Sequence, residues 1–143
     1  KNRFNAPFGR YKKPNICDKN NLLACHKALQ TVEILHGSFD YASKRAKADD
    51  FVYFDPPYVP VSLSSNFTSY TKDGFGSLEQ MMLRDHALTL KMRGVSVMLS
   101  NADHPFVREL YDQKFFTVKG IEVGRAINCK GSKRGSVGEV IVT

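Results

Sequence analysis

The segment Phe51-Val52-Tyr53-Phe54-Asp55-Pro56-Pro57-Tyr58 joins a short apolar run to an acid, two prolines and a tyrosine. An apolar run that is bounded by charge on one side and by a double proline on the other is typical of a buried strand. The carboxylate of Asp55 is therefore predicted to lie at the carboxyl end of that strand. In open α/β sheets this is the edge at which ligands bind.

The two prolines make this corner a stiff set of hydrogen-bond acceptors. Pro56 and Pro57 donate no hydrogen bond, and their fixed φ angles hold the carbonyl groups of Asp55 and Pro56 in place. A planar ligand with an exocyclic amino group suits such a corner, because its NH2 can donate to Asp55 and a carbonyl while its ring stacks on Tyr58. An adenine base taken out of its helix is such a ligand. The alternative is an ordinary loop that binds no ligand, because Asp-Pro and Pro-Pro are common in loops.

Length and composition indicate an ordinary globular domain. The chain has 143 residues, of which 42% are hydrophobic and 24% are charged, so it is predicted to form one domain with a buried core. No apolar stretch approaches the roughly 20 residues that span a bilayer, and the first residues are polar. The sequence therefore predicts neither a membrane span nor a secretory signal, and it predicts a cytoplasmic location.

The cysteines and histidines show no pattern of metal ligands. Cys17, Cys25 and Cys129 are odd in number and lack paired spacing, which argues against a disulfide framework and against a zinc site. The four histidines are scattered along the chain without ligand spacing. The chain is therefore predicted to bind no metal.

The net charge of +7 is concentrated in two clusters, Arg10 to Lys13 and Arg125 to Arg134. Both have glycine nearby and fall in predicted loops, which suits contacts with phosphates better than a helix face does. Residues 1–14 also interleave five basic groups with three aromatic rings, as expected of a loop or hairpin that touches nucleic acid. A solvated surface would explain either cluster alone.

The rest of the pattern predicts alternating helices and strands. Residues 77–80 resemble a capping box, Leu83, Ala87 and Leu90 have the spacing of one helix face, and Ser100-Asn101 falls at a strand end near Asp55. Residues 59–76 form a long polar connection, which favours a lid over the target or a loop that contacts nucleic acid. Helices are predicted over 18–30, 41–47, 77–92 and a short stretch from Pro105, and strands over 31–35, 51–54, 95–99, 115–119, 121–126 and 137–142.

This order of elements predicts an α/β fold. Strands that alternate with helices indicate three layers around a mostly parallel sheet, and the strands after residue 115 indicate an antiparallel C-terminal hairpin. The basic turn at 128–136 is predicted to join the last two strands and to project from one edge of the sheet.

These segments resemble the DNA adenine-N6 methyltransferases of the D12 class, which modify GATC sites, and the likeness runs over nearly the whole chain. The resemblance implies the second half of a Rossmann-like methyltransferase fold, in which Asp55 and the Pro56 carbonyl accept from the adenine amino group, Pro57 completes the turn and Tyr58 stacks on the flipped base. Further runs that carry the likeness are Asn66-Phe67-Thr68-Ser69-Tyr70, Leu99-Ser100-Asn101, Arg125-Ala126-Ile127, Lys133-Arg134 and Glu139.

The opening stretch, Phe4 to Pro14, is similar to the arm with which GATC enzymes recognise their target. The likeness implies that residues 1–14 are part of a recognition arm and that 15–143 form a partial catalytic domain. Double-stranded DNA is the implied partner. The implied DNA-binding residues are Pro7 and Tyr11 on bases, Asn5, Arg10, Lys12 and Lys13 on phosphates, and Asn66, Thr68, Tyr70, Arg125, Lys133 and Arg134 elsewhere.

The resemblance implies S-adenosylmethionine as the methyl donor, bound by Ser38, Phe39, Asp40 and Asp55. Ser38 stands where the family often has an acid, and Asp40 is the expected substitute. No Phe-x-Gly-x-Gly segment, the family's contact with the donor, occurs in the sequence. We therefore expect that segment upstream of Lys1, the isolated chain to be inactive, and a homodimer or strand swap as one way to cover the missing strand position.

The implied activity is direct methyl transfer to adenine without a covalent intermediate, as in DNA methylation and restriction-modification. Two alternatives remain. The chain would be a non-catalytic DNA-binding fragment or degenerate methyltransferase, or it would act on RNA or a glutamine amide. Family members of that last kind more often carry Asn at the position of Asp55.

Overall fold

The computed structural model describes residues 15–60, 74–111, 114–124 and 136–143. The described residues up to His36 and those from Gly37 onward belong to two separate compact units. None of the helices in these ranges has the length and hydropathy that a membrane crossing requires.

The first unit contains helix α1, Lys19–Ala28, followed by a 3-10 turn, Leu29–Thr31. The predicted helix is confirmed, and its N-cap is Asp18, whose carboxylate accepts a hydrogen bond from the backbone N–H of Asn21 at 3.1 Å. The strand predicted over 31–35 is wrong. The backbone is extended at Val32, but extended residues form a strand only within a backbone ladder, and residues 32–35 belong to none of the strands of the described sheet.

The second unit is built on a four-stranded sheet in the order β1-β2-β4-β3. Its strands are β1 (Phe51–Phe54), β2 (Ser96–Ala102), β3 (Val118–Gly124) and β4 (Ser136–Val142). β1 and β2 are parallel, whereas β4 is antiparallel to both β2 and β3. The closing hairpin is confirmed, but the mostly parallel sheet is not what the described strands form, because the chain after β2 returns as this hairpin.

Three helices accompany the sheet: α2 (Phe39–Ser43), α3 (Ser77–Met92) and α4 (Pro105–Leu110). The predicted face of α3 is confirmed, since Leu83, Ala87 and Leu90 are all buried. They share one core with Phe54 and Leu99 of the sheet. α2 begins and ends earlier than the predicted 41–47.

The start of α3 differs by one residue from the predicted capping box. The N-cap is Gly76, and the Glu79 carboxylate accepts from the backbone N–H of Gly76 at 2.7 Å. Because glycine has no side chain, this is half of a capping box. The shift of one residue turns Gln80 into the interior, where it is 1% exposed.

The sheet has one well-covered face among the described residues of this unit. Phe54, Val97 and Leu99 are buried in the core with α3, whereas Phe51 and Tyr53, on the opposite face of β1, are 62% and 51% exposed. Alternate residues of a strand point to opposite faces. The described residues therefore show two layers, and the third predicted layer is not seen in them.

Strand β3 runs through Gly120 as one strand, where the sequence predicts two strands separated by a glycine turn. Gly120 lies opposite Val140 in the ladder, and a Cβ there would approach Arg108 Nη2 at 3.1 Å. A Cβ at Gly138 would lie 3.3 Å from Asp103 Cβ. The two glycines therefore make room for the Arg108–Asp103 ion pair, in which Nε and Nη2 donate to the two carboxylate oxygens at 2.6 and 2.9 Å.

His86 makes the stability of this unit depend on pH. Its ring lies 5.8 Å from Phe39 and 6.3 Å from Phe54, and its Nε2 is 2.6 Å from Ser43 Oγ. Burial lowers the pKa of His86, so the folded state binds fewer protons than the unfolded state.

We expect the free energy of unfolding to fall as the pH drops below the ordinary histidine pKa of about 6.5, and the substitution His86→Gln to reduce that fall. Denaturant unfolding at pH 8 and pH 5.5 measures it, with the exposed His36→Gln as the matched control. An unchanged pH dependence in the His86 variant would contradict this assignment.

Tyr111 carries a second testable feature. Its side chain is fully buried against Phe116, with ring centroids 5.2 Å apart, and its hydroxyl has no hydrogen-bond partner within the described ranges. Burial also raises the pKa of Tyr111. Because an unpaired buried hydroxyl costs about 1–3 kcal/mol, we expect Tyr111→Phe to leave the thermal midpoint unchanged or to raise it. A clear fall would show that the hydroxyl is satisfied in solution.

Candidate active site

The carboxyl ends of β1 and β2 lie side by side. The two strands are parallel, with Phe54 opposite Leu99, so Asp55 and Ser100 follow at the same edge of the sheet. Asp55 is exposed there, whereas the next residue, Pro56, is buried. The predicted carboxylate thus faces solvent at the end of β1, which is buried on one face and not on both, as a buried strand would be.

A chain of hydroxyl groups orients the Asp55 carboxylate. Ser100 Oγ donates to Asp55 Oδ1 at 3.0 Å, and the Tyr53 hydroxyl lies 2.8 Å from the same Ser100 Oγ. Ser100 is 3% exposed, so its hydroxyl has a fixed position at the base of the exposed acid. We call Tyr53, Ser100 and Asp55 the hydroxyl chain.

Two buried side-chain amides hold the backbone that follows Asp55. Asn101 Oδ1 accepts from the backbone N–H of Val59 at 3.0 Å, and Asn101 Nδ2 donates to Gln80 Oε1 at 3.1 Å. Gln80 Nε2 in turn donates to the carbonyl of Pro57 at 2.9 Å. We call Gln80 and Asn101 the amide pair.

The amide pair forms hydrogen bonds with two backbone groups of the turn. The carbonyl of Pro57 and the N–H of Val59 are both held from the protein side. Asn101 Oδ1 also accepts from the N–H of Ala102 at 2.9 Å. The turn is therefore attached to both α3 and β2, which preorganises the exposed Asp55.

Tyr58 lies half-exposed beside this acid. Its hydroxyl donates to Glu139 Oε2 at 3.3 Å, which connects the turn to β4. Burial raises the pKa of Tyr58, with a smaller opposing effect of Ser100. The side chain therefore stays a neutral phenol over a wide pH range, with a ring that is 36% exposed.

The segment Ser38 to Asp40 lies close to the end of β1. The ring of Phe39 meets Phe54 edge-on at 6.5 Å and Phe75 at 6.0 Å. The Ser38 hydroxyl donates to the Asp40 carboxylate, and this hydrogen bond lowers the pKa of Asp40. The segment thus presents an exposed, ionised carboxylate while Phe39 packs inward.

The exposed groups at and near the end of β1 are hydrogen-bond acceptors and aromatic rings. Asp55 and Asp40 offer exposed carboxylates, which suit donors such as amino and hydroxyl groups. Within the described ranges, no group of three or more histidine, cysteine or acidic side chains is placed to hold a metal. Cys17 and Cys25 are exposed free thiols.

All twelve of the DNA-binding residues that the resemblance implies fall outside the described residues. They lie within 1–14, 61–73 and 125–135, as does Cys129. The contacts concerned are Asn5, Pro7, Arg10, Tyr11, Lys12, Lys13, Asn66, Thr68, Tyr70, Arg125, Lys133 and Arg134.

The prediction that Ser100 and Asn101 lie near Asp55 is confirmed, whereas the roles of Tyr53 and Gln80 in holding this corner were missed. Tyr53 belongs to the predicted apolar strand, and Gln80 belongs to the predicted capping box. Gln80 does carry a signal, since it precedes Leu83, Ala87 and Leu90 by helical spacing and is the polar residue on their face. A polar side chain on a buried face needs a partner, but the spacing does not say which one.

Comparison with known proteins identifies relatives of the chain. The family model of the D12 class N6 adenine-specific DNA methyltransferases matches residues 1–127. The chain is 47% identical over 145 residues to the type II methyltransferase M1.LlaDCHI of Lactococcus lactis subsp. cremoris, covering 100% of this chain and 50% of that protein.

Two further relatives carry the name DNA adenine methylase. The relative from Vibrio cholerae serotype O1 is 38% identical over 142 residues, which are 99% of this chain and 50% of that protein. The relative from Escherichia coli strain K12 is 36% identical over 140 residues, which are 96% and 49%. The chain therefore spans about half the length of the curated relatives that it matches.

The amide pair predicts a large effect of a single uncharged substitution. Gln80→Met keeps the volume and the helix but leaves the Pro57 carbonyl and Asn101 Nδ2 without their partner. Because unsatisfied buried polar groups cost about 1–3 kcal/mol each, we expect the free energy of unfolding to fall by about that amount or more. Gln30→Met, at an exposed glutamine, is the control. Equal effects at the two positions in denaturant unfolding would contradict the role of Gln80.

Proposed function

The chain belongs to the D12 class N6 adenine-specific DNA methyltransferases, and from this premise we propose that it transfers a methyl group from S-adenosylmethionine to the N6 amino group of an adenine in duplex DNA, within GATC. The observation that carries the proposal is the exposed Asp55 carboxylate, held at the carboxyl end of a parallel strand pair by Ser100. The adenine specificity follows from the family. The donor and the GATC target rest on the resemblance of the sequence.

Asp55 and the Pro56 carbonyl would activate the amino group by accepting its hydrogen bonds. The lone pair of an adenine amino nitrogen is delocalised into the ring, which makes the nitrogen a poor nucleophile. Two acceptors aligned with its N–H groups localise that pair and direct it toward the methyl group. Most of the catalysis then comes from positioning and electrostatics, without a covalent intermediate.

The carbonyl of Pro57 is less available to the substrate than the two acceptors proposed above. Pro57 O already accepts from Gln80 Nε2, so an incoming amino group would compete with a buried side chain there. The fixed φ angles of both prolines keep the turn from rearranging. This favours the pairing of Asp55 with Pro56 as the two acceptors.

Tyr58 would stack on the flipped base. Its ring is partly exposed, and its hydroxyl is fixed by Glu139. Stacking of a base on an aromatic ring contributes about 1–3 kcal/mol, which offsets part of the cost of removing the base from its helix.

The residues that would hold S-adenosylmethionine fit its adenosine part. Asp40 is exposed and its pKa is lowered by Ser38, so its carboxylate can accept from ribose hydroxyl groups. Phe39 packs on Phe54, which keeps Asp40 close to the strand that leads to Asp55. When bound, the sulfonium donor supplies an electrophilic methyl group.

The basic residues within 1–14 and 125–135 would hold the DNA. Arg10, Lys12, Lys13, Lys133 and Arg134 would contact phosphates, and Pro7 and Tyr11 would contact bases. Phosphate contacts make binding fall steeply with salt. Base contacts would restrict methylation to the target sequence.

Asp55→Ala in the natural protein that carries this sequence tests the proposal. Removing a preorganised polar group from an active site commonly costs a hundredfold to a thousandfold in kcat, and we expect a loss of about that size or more. The measurement is transfer of labelled methyl groups from S-adenosylmethionine to a duplex with one GATC site.

Asp85→Ala is the matched control, since Asp85 is exposed and forms an ion pair with its neighbour Arg84 on the same helix, where an ion pair contributes little. A duplex whose target adenine already carries the methyl group gives the background. Full activity of the Asp55 variant would refute the assigned role. Methylation of a duplex without GATC at the same rate would refute the proposed target.

A further inference from the structure

The hydroxyl chain has a direction that the positions of its oxygen atoms determine. The Ser100 hydroxyl carries one hydrogen and lies within bonding distance of Asp55 Oδ1 and of the Tyr53 hydroxyl. An ionised carboxylate only accepts, and hydrogen bonds to charged acceptors are about twice as strong as neutral ones. Ser100 therefore gives its hydrogen to Asp55, and Tyr53 gives its own to Ser100.

The geometry of the parallel pair places these three side chains on one face. Tyr53 and Asp55 are two residues apart on the same chain, and so are Met98 and Ser100, while Tyr53 lies opposite Met98. The Tyr53 ring thus extends along the sheet toward its carboxyl edge and reaches Ser100 with its hydroxyl. With its single hydrogen directed to Asp55, the buried Ser100 is held in one rotamer by Tyr53.

We propose that Tyr53 and Ser100 are positioning residues. They determine which oxygen of Asp55 faces the substrate and ensure that it faces the substrate as a hydrogen-bond acceptor. Ser100 occupies Oδ1, so Oδ2 is the atom presented to the substrate, and it presents a lone pair. This inference rests on the proposed function, in which that atom receives the N–H of the adenine amino group.

The same polarity would reject an amide at this position. In an Asp55→Asn variant, the hydrogen of Ser100 would hold the amide oxygen, and the NH2 group would take the place of Oδ2. The side-chain NH2 group of the variant, a hydrogen-bond donor, would then face the N–H donor of the adenine amino group. Removing Ser100 would release the amide, which could turn by half a rotation and present its oxygen again.

Removing Ser100 should therefore restore part of the activity that Asp55→Asn removes. In single-turnover methylation of the GATC duplex by the natural protein, we expect Ser100→Ala alone to be slower by about tenfold, the effect of one hydrogen bond to a charged group. Asp55→Asn alone should be slower by a hundredfold or more. The double variant should be about tenfold faster than Asp55→Asn.

Ser96→Ala is the matched control, because Ser96 lies on the same strand and the same face as Ser100 and is exposed. Combined with Asp55→Asn, it should restore nothing. A Ser100→Ala/Asp55→Asn enzyme as slow as Asp55→Asn, or slower, would overturn the proposal, because a merely structural serine gives losses that multiply.

A measurement without catalysis separates this inference from the proposed function. In a double-mutant cycle on the thermal midpoint, Tyr53→Phe should lower the midpoint when Ser100 is present and leave it almost unchanged when Ser100 is alanine. Additive shifts would overturn the hydroxyl chain even if methylation is normal. A wild-type protein that does not methylate adenine, but shows the non-additive shifts, would refute the proposed function and leave the orientation of Asp55 supported.

Discussion

The parallel pairing of β1 with β2 is the constraint on which the site depends. Because Phe54 lies opposite Leu99, the residues that follow each strand emerge at one edge and on matched faces. The acid of one strand thereby meets the hydroxyl and the amide of the other. A shift of one residue would exchange the two faces of β1, and Asp55 would lose Ser100 while Phe54 left the core.

The buried amides behind Asp55 and Asp55 itself differ in how many of their hydrogen bonds are formed within the protein. Gln80 and Asn101 are almost fully buried, and both ends of each amide have partners. Polar groups that are buried and satisfied give rigidity, because any other arrangement leaves them unpaired. Asp55, in contrast, is exposed and is bonded at one oxygen. The turn is thus fixed from within while its reactive side faces solvent.

The sequence predicted the elements of the site better than their connections. Four apolar residues before Asp-Pro-Pro predicted β1 and the exposed acid, and helical spacing predicted the buried face of α3, because both depend on local patterns. The strand at 31–35 failed because a strand needs a neighbour, which no local pattern contains. The sequence placed Ser100 near Asp55 but did not predict the hydrogen bond between them, for a similar reason. A hydrogen bond from Ser100 depends on the register of two segments 45 residues apart in sequence, whereas periodicity describes one segment at a time.

Gly138 on β4 does more than leave space for the Arg108–Asp103 ion pair. Glu139, whose carboxylate receives the Tyr58 hydroxyl, directly follows Gly138 and is aligned with Ala102 of β2. Since a Cβ at 138 would lie 3.3 Å from Asp103 Cβ, glycine at this position lets the ion pair and the tyrosine contact coexist in the observed register. Gly138 therefore helps to set the register of β4 against β2. In this way the Arg108–Asp103 ion pair and the Tyr58 ring are coupled through the same strand.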